Sequence, residues 1–241
     1  MNIEEIVASF ASTRRRVFPI EIDGERFWVK RAAKNFPNPM ARLLGGLGRR
    51  VASAGLDHEI AALAALRKRG FKTPDVIFHN RYYMVLSDIG PTLQQLVKEG
   101  ISDVDSVVTD AGRLLRRLHD AGGWHGAARL HNMTRSGDEM GFIDVENTSS
   151  FWLPIPILRA WDLWQLCGSI AYFDADGSRT ANCLRGYGNG KVFHGLWAAS
   201  ALMIGPYLAL KPFQRWLKRE LRQAVVTMQA IFHLGWSMSG G

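Results

Sequence analysis

The sequence predicts an α+β protein in two parts, sheet-bearing over residues 1–90 and mainly helical over residues 91–241. Three stretches carry that expectation. Residues 17–31, VFPIEIDGERFWVKR, alternate apolar and polar side chains around Asp23-Gly24, a strong two-residue hairpin signal. Ser87-Asp88-Ile89-Gly90-Pro91 interrupts all periodicity, as a connector does. After it apolar residues recur at helical spacing, broken by a loop and strand over residues 124–146, WHGAARLHNMTRSGDEMGFIDVE.

In the hairpin's second strand, Phe27 and Val29 face one way and Trp28 and Lys30 the other. Residues 32–50 form a loop rich in Pro, Asn, Gly and Arg. Residues 56–69 read as a helix ending at Gly70, with Leu56, Leu63 and Leu66 on one stripe. Glu59 falls within that stripe and needs a partner there, because an unpaired buried carboxylate is costly. Two short strands follow, 76–78 and 82–86. The C-terminal part opens with helices over 92–99 and 103–120, the second burying Val104, Val107, Val108, Leu114, Leu115 and Leu118 and stopping at Gly122-Gly123. An apolar helix spans 157–173, with Asp162 set between Trp161 and Trp164. Residues 192–236 read as two or three more helices, the last bearing Arg215, Lys218, Arg219 and Arg222 around Trp216.

Composition narrows the classes. Thirty Lys and Arg against 22 Asp and Glu leave a net charge of +8, which suits an anionic partner or a solvated basic surface. Two cysteines, Cys167 and Cys183, are too few for a disulfide scaffold and suit a reducing compartment. The stretch MNIEEIVASF carries acidic residues where a signal peptide needs basic ones. The longest uncharged apolar run, 196–210, is interrupted by Gly205-Pro206 and falls short of the ~20 residues of a bilayer span. The expectation is a cytoplasmic chain.

Five features fall in chain order: a strand lysine (Lys30), a helix glutamate (Glu59), a connector, a His…Asn loop (His125, Asn132) and an aspartate at a strand end (Asp144). In that order the sequence resembles the protein-kinase-like superfamily, nearest its compact atypical branch: lipopolysaccharide-core Kdo kinases, RIO kinases and the kinase subunit of the KEOPS complex. The resemblance runs from about Val17 to Phe173 and implies a two-lobed fold binding ATP and Mg²⁺. FWVK resembles the strand motif whose lysine holds nucleotide phosphates, so Lys30 would take that role and Glu59 would pair with it. His125-Gly126-Ala127-Ala128-Arg129-Leu130-His131-Asn132 matches His-x-Asp-x-x-x-x-Asn in length. The resemblance implies His125 as a structural loop residue, Asn132 and Asp144 as metal ligands, and Asp162 as the buried anchor of the loop. Trp28 and Asp88 are implied nucleotide contacts. Arg129 falls where many kinases keep a cation near the γ-phosphate.

Three departures matter. No G-x-G-x-x-G precedes Lys30, and only Ser9, Ser12 and Thr13 offer backbone N–H groups to phosphates there. Trp28 stands where such folds place a small residue against the adenine. Ala127 replaces the aspartate that accepts the substrate proton. General-base catalysis typically contributes ~10²–10⁴-fold, so its loss predicts slow chemistry if nucleotide and metal still bind. His131 and Glu146 are the nearby substitutes, and an already anionic acceptor needs none.

Two classes therefore stand side by side: a kinase-like phosphotransferase, and a pseudokinase scaffold or regulatory nucleotide-binding protein. For the enzyme, the basic helix around Trp216 and the family resemblance point to an anionic small molecule, a glycan or a lipid-linked sugar, with peripheral contact at the cytoplasmic membrane face. A protein hydroxyl is a further acceptor class. An RNA- or tRNA-associated kinase or ATPase ranks behind these. Arg14-Arg15-Arg16 and Arg67-Lys68-Arg69 would serve it, but they lack the interleaved aromatics that base stacking calls for.

Overall fold

A computed structural model describes residues 15–32, 56–100, 103–145, 154–174, 176–188, 190, 192, 194–196, 204–213 and 219–239. Several expectations fall outside these residues: Ser9, Ser12, Thr13 and Arg14, most of the 32–50 loop, Glu146, and the cluster of Arg215, Trp216 and Lys218. The chain divides into two compact units, Met1–Gly90 and Pro91–Gly241.

The first unit is built on an antiparallel sheet of order β1-β2-β4-β3, with β1 Val17–Ile22, β2 Glu25–Arg31, β3 Val76–His79 and β4 Tyr83–Ser87. Asp23 (φ 53°) and Gly24 (φ 81°) make the β1–β2 turn, in which both central residues are left-handed. The alternation along β2 sorts its two faces. Val29 joins Phe18, Ile20 and Val85 in an apolar cluster flanked by Phe27. On the opposite face Trp28 and Lys30 stand across from Leu86 and Met84. Helix α1, Leu56–Lys68, buries Leu56, Leu63 and Leu66 as its stripe predicts. It ends at Gly70, whose φ of 82° suits the residue that closes a helix. Arg67 then anchors the descending chain through Asp75 (2.7 Å).

The second unit is mainly helical. Helix α2, Leu93–Glu99, opens with a capping box between Thr92 and Gln95. Helix α3, Val104–Asp120, is capped by Asp103, whose carboxylate accepts the Ser106 N–H. All six apolar residues predicted for its inner face are buried. A short hairpin follows, β5 Met133–Ser136 and β6 Glu139–Phe142, with its turn at Gly137-Asp138. The remaining helices are α4 Ile155–Ala171, α5 Ser178–Tyr187, α6 Ile204–Leu210 and α7 Arg219–Ser239. Helix α4 begins two residues earlier than the apolar run suggested, because Pro156 fits a first turn that needs no donor. Gly205-Pro206, which interrupts the apolar run, lies within α6.

Helices α3 and α5 cross at backbone contact. A Cβ at Gly112 would collide with the Cys183 carbonyl oxygen, and one at Gly186 with the Thr109 carbonyl oxygen. Close-packed interiors do not absorb such an intrusion. The crossing delivers Tyr187, at the end of α5, beside His119 on α3, where their rings meet edge-on at 5.6 Å.

With a lysine-bearing sheet, a glutamate-bearing helix and then a helical unit interrupted by one loop-hairpin, the chain has an α+β fold in two units, the first built on a small antiparallel sheet and the second mainly helical.

Candidate functional site

In the first unit the structure joins Lys30 to Glu59. The Lys30 ammonium lies 2.7 Å from each Glu59 carboxylate oxygen, with only 5% of the lysine and 12% of the glutamate side chain exposed. This answers the question raised by a glutamate in an apolar stripe. A buried pair of this kind adds little net stability, since desolvation offsets the attraction. Trp28 is half-buried on the same strand face. Asp88 is used locally: its Oδ1 accepts the Gly90 N–H at 2.8 Å and closes the connector. Arg26 lies 4.0 Å from its other oxygen.

In the second unit the loop of residues 125–132 is held from beneath by one polar stripe on α4. Asp162, Gln165 and Ser169, at positions i, i+3 and i+7, share a helix face. Asp162, fully buried, accepts the backbone N–H of His125 at 2.6 Å and of Gly126 at 2.8 Å, one on each oxygen. Gln165 donates to the Gly126 carbonyl at 3.0 Å and accepts from Arg129 Nε at 3.0 Å. The Ser169 hydroxyl accepts the Leu130 N–H at 3.1 Å. Four of the loop's backbone groups are therefore satisfied by side chains of α4, as buried irregular segments require.

The loop closes on itself and on the hairpin. His125 Nε2 faces the Ile143 carbonyl at 3.1 Å, which can only accept, so Nε2 carries the proton. Nδ1 is then the acceptor for the Ala127 N–H at 3.3 Å. The Asn132 amide nitrogen donates to the Ala127 carbonyl at 2.9 Å, which fixes the amide's orientation and leaves Oδ1 as its ligand-capable atom. The Asn132 carbonyl accepts the Ile143 N–H at 3.0 Å. That bond sets Asn132 one residue from opposition to Asp144. Asp144 itself has φ 53°, and apart from the turn residue Asp23 it is the only left-handed non-glycine residue among those described. Such a conformation costs free energy in an ordinary residue and concentrates at functional positions. Asn132 and Asp144 thus offer an amide and a carboxylate oxygen, the hard donor type that could hold Mg²⁺. Ala127 contributes a methyl group with 9% exposure and no proton acceptor.

Sequence reasoning missed His119 and Tyr187. Under Asp162, the Tyr187 hydroxyl lies 2.8 Å from His119 Nδ1, and His119 Nε2 lies 3.4 Å from Asp162 Oδ2. With the carboxylate as acceptor, the proton sits on Nε2 and the tyrosine donates to Nδ1. The available signal was a histidine next to Leu118 on the buried side of α3. Gln165 and Ser169 were also missed, although their spacing from Asp162 was readable. Trp161, one of the two tryptophans flanking buried Asp162, is 52% exposed. Arg67, considered as part of a nucleic-acid patch, is committed to Asp75. His131 reaches the surface, but partial desolvation by its neighbours, together with the Arg129 charge, lowers its pKa despite opposition from Asp144.

Burial lowers the pKa of both His119 and His125, outweighing the opposing pull of Asp162 in each case. Both are therefore neutral in the folded state where an unfolded histidine, with its pKa near 6.5, begins to take up protons. As pH falls through that value the unfolded chain binds more protons and stability drops, by up to about 1.4 kcal/mol per pH unit for each histidine. Urea midpoints are expected to fall steadily from pH 7.5 to 5.5, less steeply in His119→Gln; a flat profile would contradict the neutral assignment.

No family profile matches the chain, and no curated protein sequence matches it. Among solved structures, WaaP in complex with acyl carrier protein aligns with a TM-score of 0.42 at 14% identity, covering 88% of this chain and 85% of that one. At that score the likeness carries no weight for activity or partners. Among the described residues no helix is long and apolar enough to cross a membrane.

Proposed function

We propose that the chain is an ATP-binding, kinase-like phosphotransferase in which the phosphate- and metal-holding residues are kept and the proton acceptor is absent. The observation that carries this reading is the pinned His125–Asn132 loop ending beside a left-handed Asp144. A plain structural hairpin needs neither the buried carboxylate that holds the loop's amides nor a strained aspartate at its exit. Lys30, oriented by Glu59, provides positive charge for nucleotide phosphates. Asn132 and Asp144 would hold Mg²⁺, which would supply positive charge to the nucleotide phosphates. His125 and Asp162 hold the loop. Arg129, steadied through Nε by Gln165, offers its remaining N–H groups to the transferring phosphoryl group. Trp28 offers a flat apolar surface to the base.

Transfer to a hydroxyl breaks the bond between the γ-phosphorus and its bridging oxygen, forms one to the acceptor oxygen and releases the hydroxyl proton. With Ala127 in the loop that proton goes to solvent, or the acceptor is already anionic. The net charge of +8 favours an anionic acceptor, such as a phosphorylated or acidic glycan or a lipid-linked sugar at the cytoplasmic membrane face. The methyl group of Ala127 equally favours a second reading, a pseudokinase that binds nucleotide and acts as a regulatory scaffold. Commitment of Arg67 to Asp75 weighs against an RNA- or tRNA-directed activity.

Thermal denaturation with ATP tests the reading. Stabilisation is expected with Mg²⁺ present and is expected to disappear in Asp144→Ala; no stabilisation of the wild-type chain would remove nucleotide from the account.

A further inference from the structure

A cavity of about 400 Å³ opens in the second unit, and neither the 125–132 loop nor Asp144 lines it. Its wall comes from the end of α3 (Arg116, His119, Asp120), the first turns of α4 (Arg159), the end of α5 (Tyr187) and Gly190. The volume lies within the usual range for small-molecule sites. The charge balance of this wall is uneven. Arg116 is spent on Asp120, with Nε 2.8 Å from both carboxylate oxygens. Burial keeps His119 neutral. Arg159 is half-buried, gives Nε to the Gly123 carbonyl at 3.2 Å, and makes no ion pair among the described residues. Its guanidinium therefore has no carboxylate within 4 Å among the described residues, although Asp120 lines the same wall, and an anion entering the cavity would complete its hydrogen bonding.

We infer that this cavity binds a small organic anion, its phosphate or carboxylate head paired with Arg159 and its body laid against Tyr187. Guanidinium forks bind both head groups in a paired, directional manner. One lining residue has a second role. His119 connects the Tyr187 hydroxyl to Asp162, and Asp162 holds the backbone of His125 and Gly126. An occupant that shifts Tyr187 therefore acts on the carboxylate that positions the loop, which makes the cavity an effector site. The inference does not depend on nucleotide binding.

Phenyl phosphate and benzoate are the probes, with sodium sulfate at matched ionic strength as the control. At a hundredfold excess over its Kd, the matching probe is expected to raise the unfolding temperature by roughly 5–10 °C. Whichever probe acts identifies the head group. Arg159→Gln is expected to weaken that binding at least ~10-fold, while Asp144→Ala leaves it unchanged, so its failure is distinguishable from failure of the nucleotide reading. Should Arg159→Gln not fold, amide shift mapping of the wild-type chain replaces it: the bound probe must move Tyr187, Gly190 and His125. No saturable response to either probe, a response matched by sulfate, or shifts that miss Tyr187 and Gly190 would overturn the inference.

Discussion

Alanine in place of Asp162 is expected to destabilise the chain by about 3–5 kcal/mol, a large part of the stability of an ordinary domain. The side chain has no exposure, and three donors converge on it: the N–H groups of His125 and Gly126, and His119 Nε2. Removing it leaves buried donors without acceptors, each worth about 1–3 kcal/mol. Asp162→Asn should fall between, because an amide accepts at one end and presents a second donor at the other. Arg113→Ala, which breaks an exposed pair with Asp110, should change stability by no more than about 0.5 kcal/mol. Urea unfolding resolves these three outcomes, and hydrogen exchange at His125 and Gly126 localises the loss. Equal effects of Asp162→Ala and Arg113→Ala would mean that the loop is held by something else.

Restoring an aspartate at Ala127 is expected to raise phosphoryl transfer or ATP hydrolysis by ~10²–10⁴-fold, the usual contribution of a general base. The position suits the test. Its backbone is already fixed at both ends, the N–H on His125 Nδ1 and the carbonyl on the Asn132 amide, so the new side chain enters a loop of defined shape. At 9% exposure a carboxyl there is partly desolvated, which raises its pKa toward the range useful for accepting a proton. Initial rates of ADP release, wild type against Ala127→Asp, measure the effect. An unchanged rate in a folded, nucleotide-binding variant would show that the missing aspartate is not what limits the chemistry, and would favour the scaffold reading.

The parts of this fold that were legible in the sequence are those governed by local chemistry. Asp23-Gly24 announced its hairpin because few dipeptides tolerate two left-handed residues in succession. Glu59 announced a partner because its stripe was otherwise leucine. The separation of His125 from Asn132, and the strand that ends at Asp144, could be read directly. What escaped depends on contacts across long stretches of chain. His119 meets Tyr187 from 68 residues away, and only because Gly112 and Gly186 let two helices touch. Arg116 on α3 and Arg159 on α4, 43 residues apart in the chain, face one cavity. The stripe Asp162, Gln165, Ser169 lay between these cases. Its helical spacing was visible, but its purpose needed the loop's backbone above it. The left-handed backbone at Asp144 has no sequence signature at all, since aspartate tolerates that region without requiring it.

The central claim is that metal and phosphate are held here without a proton acceptor. Manganese, a paramagnetic substitute for magnesium, tests it directly by electron paramagnetic resonance. The wild-type chain is expected to bind Mn²⁺ tightly only when ATP is present, and Asp144→Ala and Asn132→Ala are each expected to lose that ATP-dependent signal. Ala127→Asp should keep it. An ATP-dependent Mn²⁺ signal that survives Asp144→Ala, or none in the wild-type chain, would contradict the account.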